Sequence, residues 1–474
     1  MKIQVVYWAL LLALICCNKK KQTEPIKPIA VNETHLEAEP GEEFSGGDGT
    51  VFSVSKDAFG FQAPNIPTDL AADFSVGNSF FRLPWVIAPS STRARDGLGP
   101  MLNANSCGAC HGLDGRGSPM VNSDGKLTSM LIRMSIPGSG VHGDPIGVPN
   151  YGDQLNDKSI SGVMSEGNVE VTYTEEEGSY SDGTKYSLRK PAYQLVNLAY
   201  GIPAGVLTSP RVAPQLPGLG LLEAIDDATI YSLADPIDAD GDGISGRVNI
   251  VWDVAKKSKS VGKFGWKSNQ PNLHQQTAGA FNGDMGITSS LFPEENLSGV
   301  SKLNYDTITG GGNPEVSDSL LHKIVLYCQT LGVPARRNWN NKTVLKGKQV
   351  FNNIGCTSCH IPKITTGNAS AYPAFRQQTI RPYTDLLLHD MGVGLADGRP
   401  DFEASGVEWR TPPLWGIGLI KVVNNHTFFL HDGRARNVEE AILWHGGEAK
   451  QFKNKFVLLP KAEREELLKF LDSL

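Results

Sequence analysis

NSCGACHGLDGRG (105–117) holds two cysteines three positions apart, with a histidine immediately after the second. The arrangement returns as GCTSCHI (355–361). Such a stretch can be a redox dithiol, half of a zinc site, or a haem anchor. A dithiol accounts for Cys107, Cys110, Cys356 and Cys359 but leaves His111 and His360 in the same place twice. A shared zinc site would join half-sites across 245 intervening residues (111–355), unlike the short spacings of common zinc modules. Haem attachment uses every residue. Two thiols add across the vinyl groups of one haem, and the next side chain places an imidazole under the iron. The chain has seven cysteines. Outside the two motifs remain Cys16, Cys17 and Cys328, the last in an apolar helical stretch where it reads as a buried thiol.

C-type haem attachment requires an exported protein. MKIQVVYWALLLALICCNKKKQ (1–22) has one early lysine, an apolar run over residues 5–15 and then two cysteines. The run is short for a membrane span and suits an export signal. Residues 1–17 therefore read as a signal peptide resembling the lipoprotein type, with Cys16 or Cys17 taking the lipid; a plain signal peptide cut further on is the alternative. Residues 18–48, polar and rich in proline and glutamate, read as a flexible tether. The expected location is the periplasm or cell envelope, with a lipid anchor as the only membrane contact. There, glutathione does not poise the thiols.

Of 474 residues, 40% are hydrophobic and 20% charged, as in a globular chain. A net charge of −6 gives no electrostatic footprint for nucleic acid. The chain loosely repeats. GNSFF (77–81) precedes the first anchor as GKQVF (347–351) precedes the second, and DSLLHKIVLYCQTLGVP (318–334) is echoed by the terminal AEREELLKFLDSL. Both closing segments carry one apolar helical face. The expected fold is mainly α, with two cytochrome c-like domains at 49–335 and 336–474. The first carries a large insertion after its haem motif, containing short β-strands. GNVEVTYTEEEGSYSDGTKYSLRKPAY (167–193) alternates around glycine turns and predicts a hairpin.

FGWKSNQPNLHQQTAGAFNGDMGI (264–287) and EWRTPPLWGIG (408–418) with FLHDGRARNVEEA (429–441) resemble segments of bacterial di-haem cytochrome c peroxidases. With YGDQL, DGDGISGRVN, DMGITS and HDMGVGL, residues 60–474 more closely resemble the related di-haem oxidoreductases once labelled thiol oxidoreductases. The thiol label has no support in the residues, because haem consumes the paired cysteines. The resemblance implies a peroxidase-like oxidoreductase with two covalent haem c groups. The N-terminal haem, on His111, reacts with hydrogen peroxide or a similar small oxidant, and the C-terminal haem, on His360, relays electrons from a redox protein donor. It also implies Asp284 as acid–base, helped by Gln276, with Trp266 between the haems. The acid is Asp where the peroxidases have Glu.

Distal ligands are less marked. Met391, 31 residues after His360, is the candidate for the second haem. His142, Met120, Met130 and Met134 are candidates for the first, and His389, His431 and His445 are candidate proton carriers, with a place at the surface or in support of the ligands as the alternative. DADGDGISGRVN (238–249) matches the first half of an EF-hand loop, with Asp238, Asp240 and Asp242 alternating and the Ile244 carbonyl at position seven. A structural calcium is expected there, although Asn249 replaces the closing glutamate. Two other functions stay open: an electron carrier with both irons capped, and a di-haem enzyme that oxidises a protein partner.

Overall fold

Two helix crossings frame the molecule, each built on a glycine. In the helix Ala71–Arg82, Gly77 lies so close to the helix Asp318–Thr330 that a Cβ there would overlap the Lys323 carbonyl oxygen. In the helix Lys342–Ile354, Gly347 lies against the terminal helix Lys461–Ser473 in the same way, at the Glu466 carbonyl. Only glycine permits such backbone approach. Four residues on, each first helix presents a phenylalanine: Phe81 packs on Tyr327 at 5.3 Å and Phe351 on Phe470 at 5.1 Å between ring centroids. The caps follow the sequence: Ser317 accepts from the Leu320 amide, Asn341 from that of Thr343.

This is a computed structural model, and it describes residues 37–305, 307–308 and 310–474. The signal peptide and residues 18–36 lie outside them. The described residues belong to one compact unit, Val31–Leu474. From Glu39 onward the chain is held to the body: Glu39 pairs with Lys363 at 2.6 Å, buried Glu42 pairs with Arg336 and Lys348, and Ser45 accepts from the Arg381 amide at 2.8 Å. The short strand Thr50–Val51 then pairs in parallel with Val333–Pro334.

The expectation of a mainly α fold is overturned. Helices take 30% of the residues and strands 18%, the strands in seven two-stranded sheets among the described residues. The apolar helical stripes flank the anchors, and between them glycines and prolines break the chain into turns and short ladders. Residues 115–218 contain no helix. The hairpin Asn168–Ser179 with Lys185–Val196 forms as expected. It reaches the C-terminal part of the chain, where Tyr180 donates to Glu439 at 2.6 Å and Arg189 to the Gly433 carbonyl at 3.0 Å. One hydrophobic cluster joins Phe81, Trp85 and Leu321 to Phe375, Ile380 and Trp415. No helix among the described residues is long and apolar enough to cross a membrane.

Candidate active site

Each C-x-x-C-H motif opens into its own cavity. The first, about 1590 Å³ with its open mouth, is lined by Cys107, Cys110 and His111; the second, about 1380 Å³, by Cys356, Cys359 and His360. Ser106 caps the first anchor turn by accepting from the Ala109 amide at 3.1 Å. The histidines are held alike. His111 donates from Nδ1 to the Pro214 carbonyl at 2.8 Å, and His360 from Nδ1 to the Tyr383 carbonyl at 2.9 Å. That bond fixes the tautomer with a lone pair on Nε2, as an iron ligand requires. Burial pushes both imidazoles down to about 4, so both are neutral at physiological pH. Phe81 sits 6.1 Å from the His111 ring, and Phe351 sits 6.3 Å from that of His360. Burial also pushes the Cys107, Cys110 and Cys356 thiols up to about 12, far from a reactive thiolate. Paired thiols beneath a neutral imidazole of fixed tautomer, in an apolar cavity, form a donor set that suits a haem.

The cavities differ in what else lines them. On the first wall the helix Leu273–Met285, capped by Asn272 and ended by left-handed Gly286, presents Gln276, Ala280 and Asp284 at a spacing of four. Asp284 thus sits in the last turn of a helix. Its Oδ1 accepts from Gln154 Nε2 at 3.0 Å, and its carbonyl accepts from the Asn103 and Ala104 amides at 2.8 and 3.0 Å. Gln154 also donates to Asn103 Oδ1 at 2.6 Å, and Asn103 donates to Asp157 at 2.9 Å. Burial raises the Asp284 carboxyl above its ordinary range, against the pull of Arg133 and Gln154. Arg133 comes from the strand Met130–Ser135, which pairs with Leu207–Val212. Alternation along that strand turns Leu131 and Arg133 to the cavity, while Met130 and Met134 are buried off its wall. Met120 is exposed, and exposed His142 stacks on Trp252 at 3.7 Å. None of these four candidate ligands lines the first cavity. His111 is its one histidine and Met285, a core residue, its one methionine.

The second cavity is lined by His360, His389, His431, His445 and Met391. Both nitrogens of His389 are engaged: Nε2 lies 2.9 Å from Asp385 and Nδ1 2.8 Å from Glu448. Burial opposes its charge, yet Asp385, the Cys359 thiol and Glu448 hold its pKa well above the usual value. Carboxylate oxygens thus occupy both ring nitrogens. His431 stacks on Trp409 at 3.6 Å. His445 donates from Nδ1 to the Ala441 carbonyl at 2.7 Å, which leaves Nε2 as a ligand atom in the cavity that Met391 also lines.

Trp266 lines both cavities. Its Nε1 donates to the Val212 carbonyl at 2.8 Å, and the Arg116 guanidinium lies 5.0 Å over its ring. Arg116, Gln215, Arg410, Pro412 and Pro413 complete the shared wall. Arg133 stood in no motif; Gln154 and Arg410 lie in YGDQL and EWRTPPLWGIG, which left them without a role, and His445 was named only as a proton carrier.

The acidic loop lies apart. Asp235, Asp238 and Asp240 bring one oxygen each within 4.8 Å of one another. Asp242 instead turns Oδ1 to the Ile244 amide at 2.8 Å, and Ile244 is buried.

No curated protein matches the sequence. A family described as "Di-haem oxidoreductase, putative peroxidase" matches residues 41–474, nearly the whole described chain, and on that match and the two haem-ready cavities the chain belongs to that family.

Proposed function

We propose that the chain is an exported c-type di-haem peroxidase. Its haems are held by Cys107, Cys110 and His111 and by Cys356, Cys359 and His360. One observation carries the reading: in the first cavity a single imidazole shares the lining with the Asp284 carboxylate, side-chain amides and four guanidiniums, whereas four imidazoles line the second. The first cavity is furnished for a reacting guest, the second for a capped relay.

Bound haem would supply redox chemistry toward hydrogen peroxide or a similar small oxidant, and the two haems together would deliver the two electrons that, with two protons, reduce peroxide to two waters. Asp284 takes a proton from one peroxide oxygen and returns it to the departing one, a transfer that contributes about a hundred- to ten-thousandfold. Gln154 holds the Asp284 carboxylate in place, and Gln276, two turns earlier on the same helix face, orients the peroxide. Arg133 offsets the negative charge that develops on the departing oxygen. Trp266 bridges the two sites, and a redox protein supplies electrons at the second. Met391 or His445 caps the second iron. A lipid on Cys16 or Cys17 would hold the protein in the periplasm or cell envelope, and a calcium ion held by Asp235, Asp238 and Asp240 would brace the acidic loop.

The test is haem counting followed by turnover. Denatured protein should retain two haems per chain on a haem-stained gel, and native protein should consume peroxide with a reduced cytochrome as donor. Haem lost on denaturation, or intact di-haem protein inert to peroxide, would overturn the reading.

A further inference from the structure

Four arginines border the cavities, and the protein occupies three of them. Arg133 pairs with Asp153 at 2.8 Å, and Arg211 with Asp401 at 2.9 Å. Arg116 donates from Nε to the Phe428 carbonyl at 2.8 Å and from Nη2 to that of Leu430. Arg410 differs. Its Nε donates to the Gly265 carbonyl at 2.9 Å, but its Nη1 is buried with no partner. The residue is 8% exposed and lines both cavities.

We infer that Arg410 anchors a haem propionate at the wall between the two haems. The inference rests on the covalent haem reading. A buried guanidinium with an unpaired donor is costly, and its planar fork matches a carboxylate. The nearby protein acid is already engaged: Asp385 accepts from the Leu387 amide at 2.9 Å and holds His389 at 2.9 Å. The propionates are the anionic groups that haem brings to this wall. Arg410 also receives its backbone register from the bridge, since its amide donates to the Trp266 carbonyl at 2.9 Å. One residue would therefore fix a haem edge and the tryptophan beside it. Its charge would favour the reduced state of the haem it holds.

The test is potentiometry on the holoprotein. Arg410→Gln should keep two covalent haems and lower the potential of one of them, by roughly tenfold in its reduction equilibrium, about 59 mV for one electron. The other potential should not move. The released propionate should then titrate nearer neutrality and make that haem's potential newly pH-dependent. Arg410→Lys, which keeps the charge but not the fork, should fall between. Unchanged potentials and pH profiles in Arg410→Gln overturn the inference. Should that variant fail to assemble, the wild type decides: one haem potential should be independent of pH around neutrality, and two that both bend there overturn it. Wild type without covalent haem would instead refute the reading beneath.

Discussion

Asp284→Asn removes the proposed proton carrier and little else. The replacement has the same shape, and its carbonyl oxygen can still accept from Gln154 Nε2, now at 3.0 Å. The backbone carbonyl keeps its bonds from Asn103 and Ala104, and Arg133 keeps Asp153 at 2.8 Å. The expected loss is therefore confined to proton transfer, about a hundred- to ten-thousandfold in rate, which is about 2.7 to 5.4 kcal/mol at 1.36 kcal/mol per tenfold. Rapid mixing of peroxide with half-reduced protein measures it. Burial raises the Asp284 pKa, so the wild-type rate should fall as pH drops through that raised value and the basic form is lost. Stability should move the other way. A carboxyl whose pKa is higher folded than unfolded costs stability once pH exceeds both values. Asparagine removes that cost, so the variant should melt no lower than wild type at neutral pH. A wild-type peroxide rate in a variant whose first haem still binds cyanide would refute the assignment.

Trp266→Phe should let the first site react but slow electron supply, leaving the second haem reduced for longer after one equivalent of peroxide; freeze-quench spectra that match wild type would remove the bridging role. Gly347→Ala should destabilise by about 1–3 kcal/mol or more, because the new methyl meets the Glu466 carbonyl, and denaturant melts check it. Chelation should lower the melting temperature if calcium binds the acidic loop; metal analysis finding none after a millimolar soak would end that proposal.

The helical frame around the two C-x-x-C-H motifs was legible in the sequence. The glycine–phenylalanine echo at 77–81 and 347–351 reflects a shared need: a helix close enough to its partner that only glycine fits, and a ring set beside the histidine. The fold class was not legible, because stripes on a few helices say little about residues 115–218, where, apart from the local hairpin, Met130–Ser135 finds its partner only at Leu207–Val212. Asp284 looks like a loop residue beside its glycines, yet Asn272, twelve residues earlier, starts a helix that carries it to the cavity. Arg133 reaches the wall only through the alternation of its strand against Leu207–Val212. The pairing of His389 with two acids was hidden because Glu448, the second of them, comes from a turn 59 residues on.

The contrast between the two cavities is tested most directly by the spin-resonance and optical spectra of the oxidised di-haem protein, with and without cyanide, beside a Cys107→Ala/Cys110→Ala form that lacks the first haem. Cyanide should shift one haem in the intact protein and none in the single-haem form, whose remaining iron stays capped. A cyanide shift in the single-haem form, or none in the intact protein, would contradict the account.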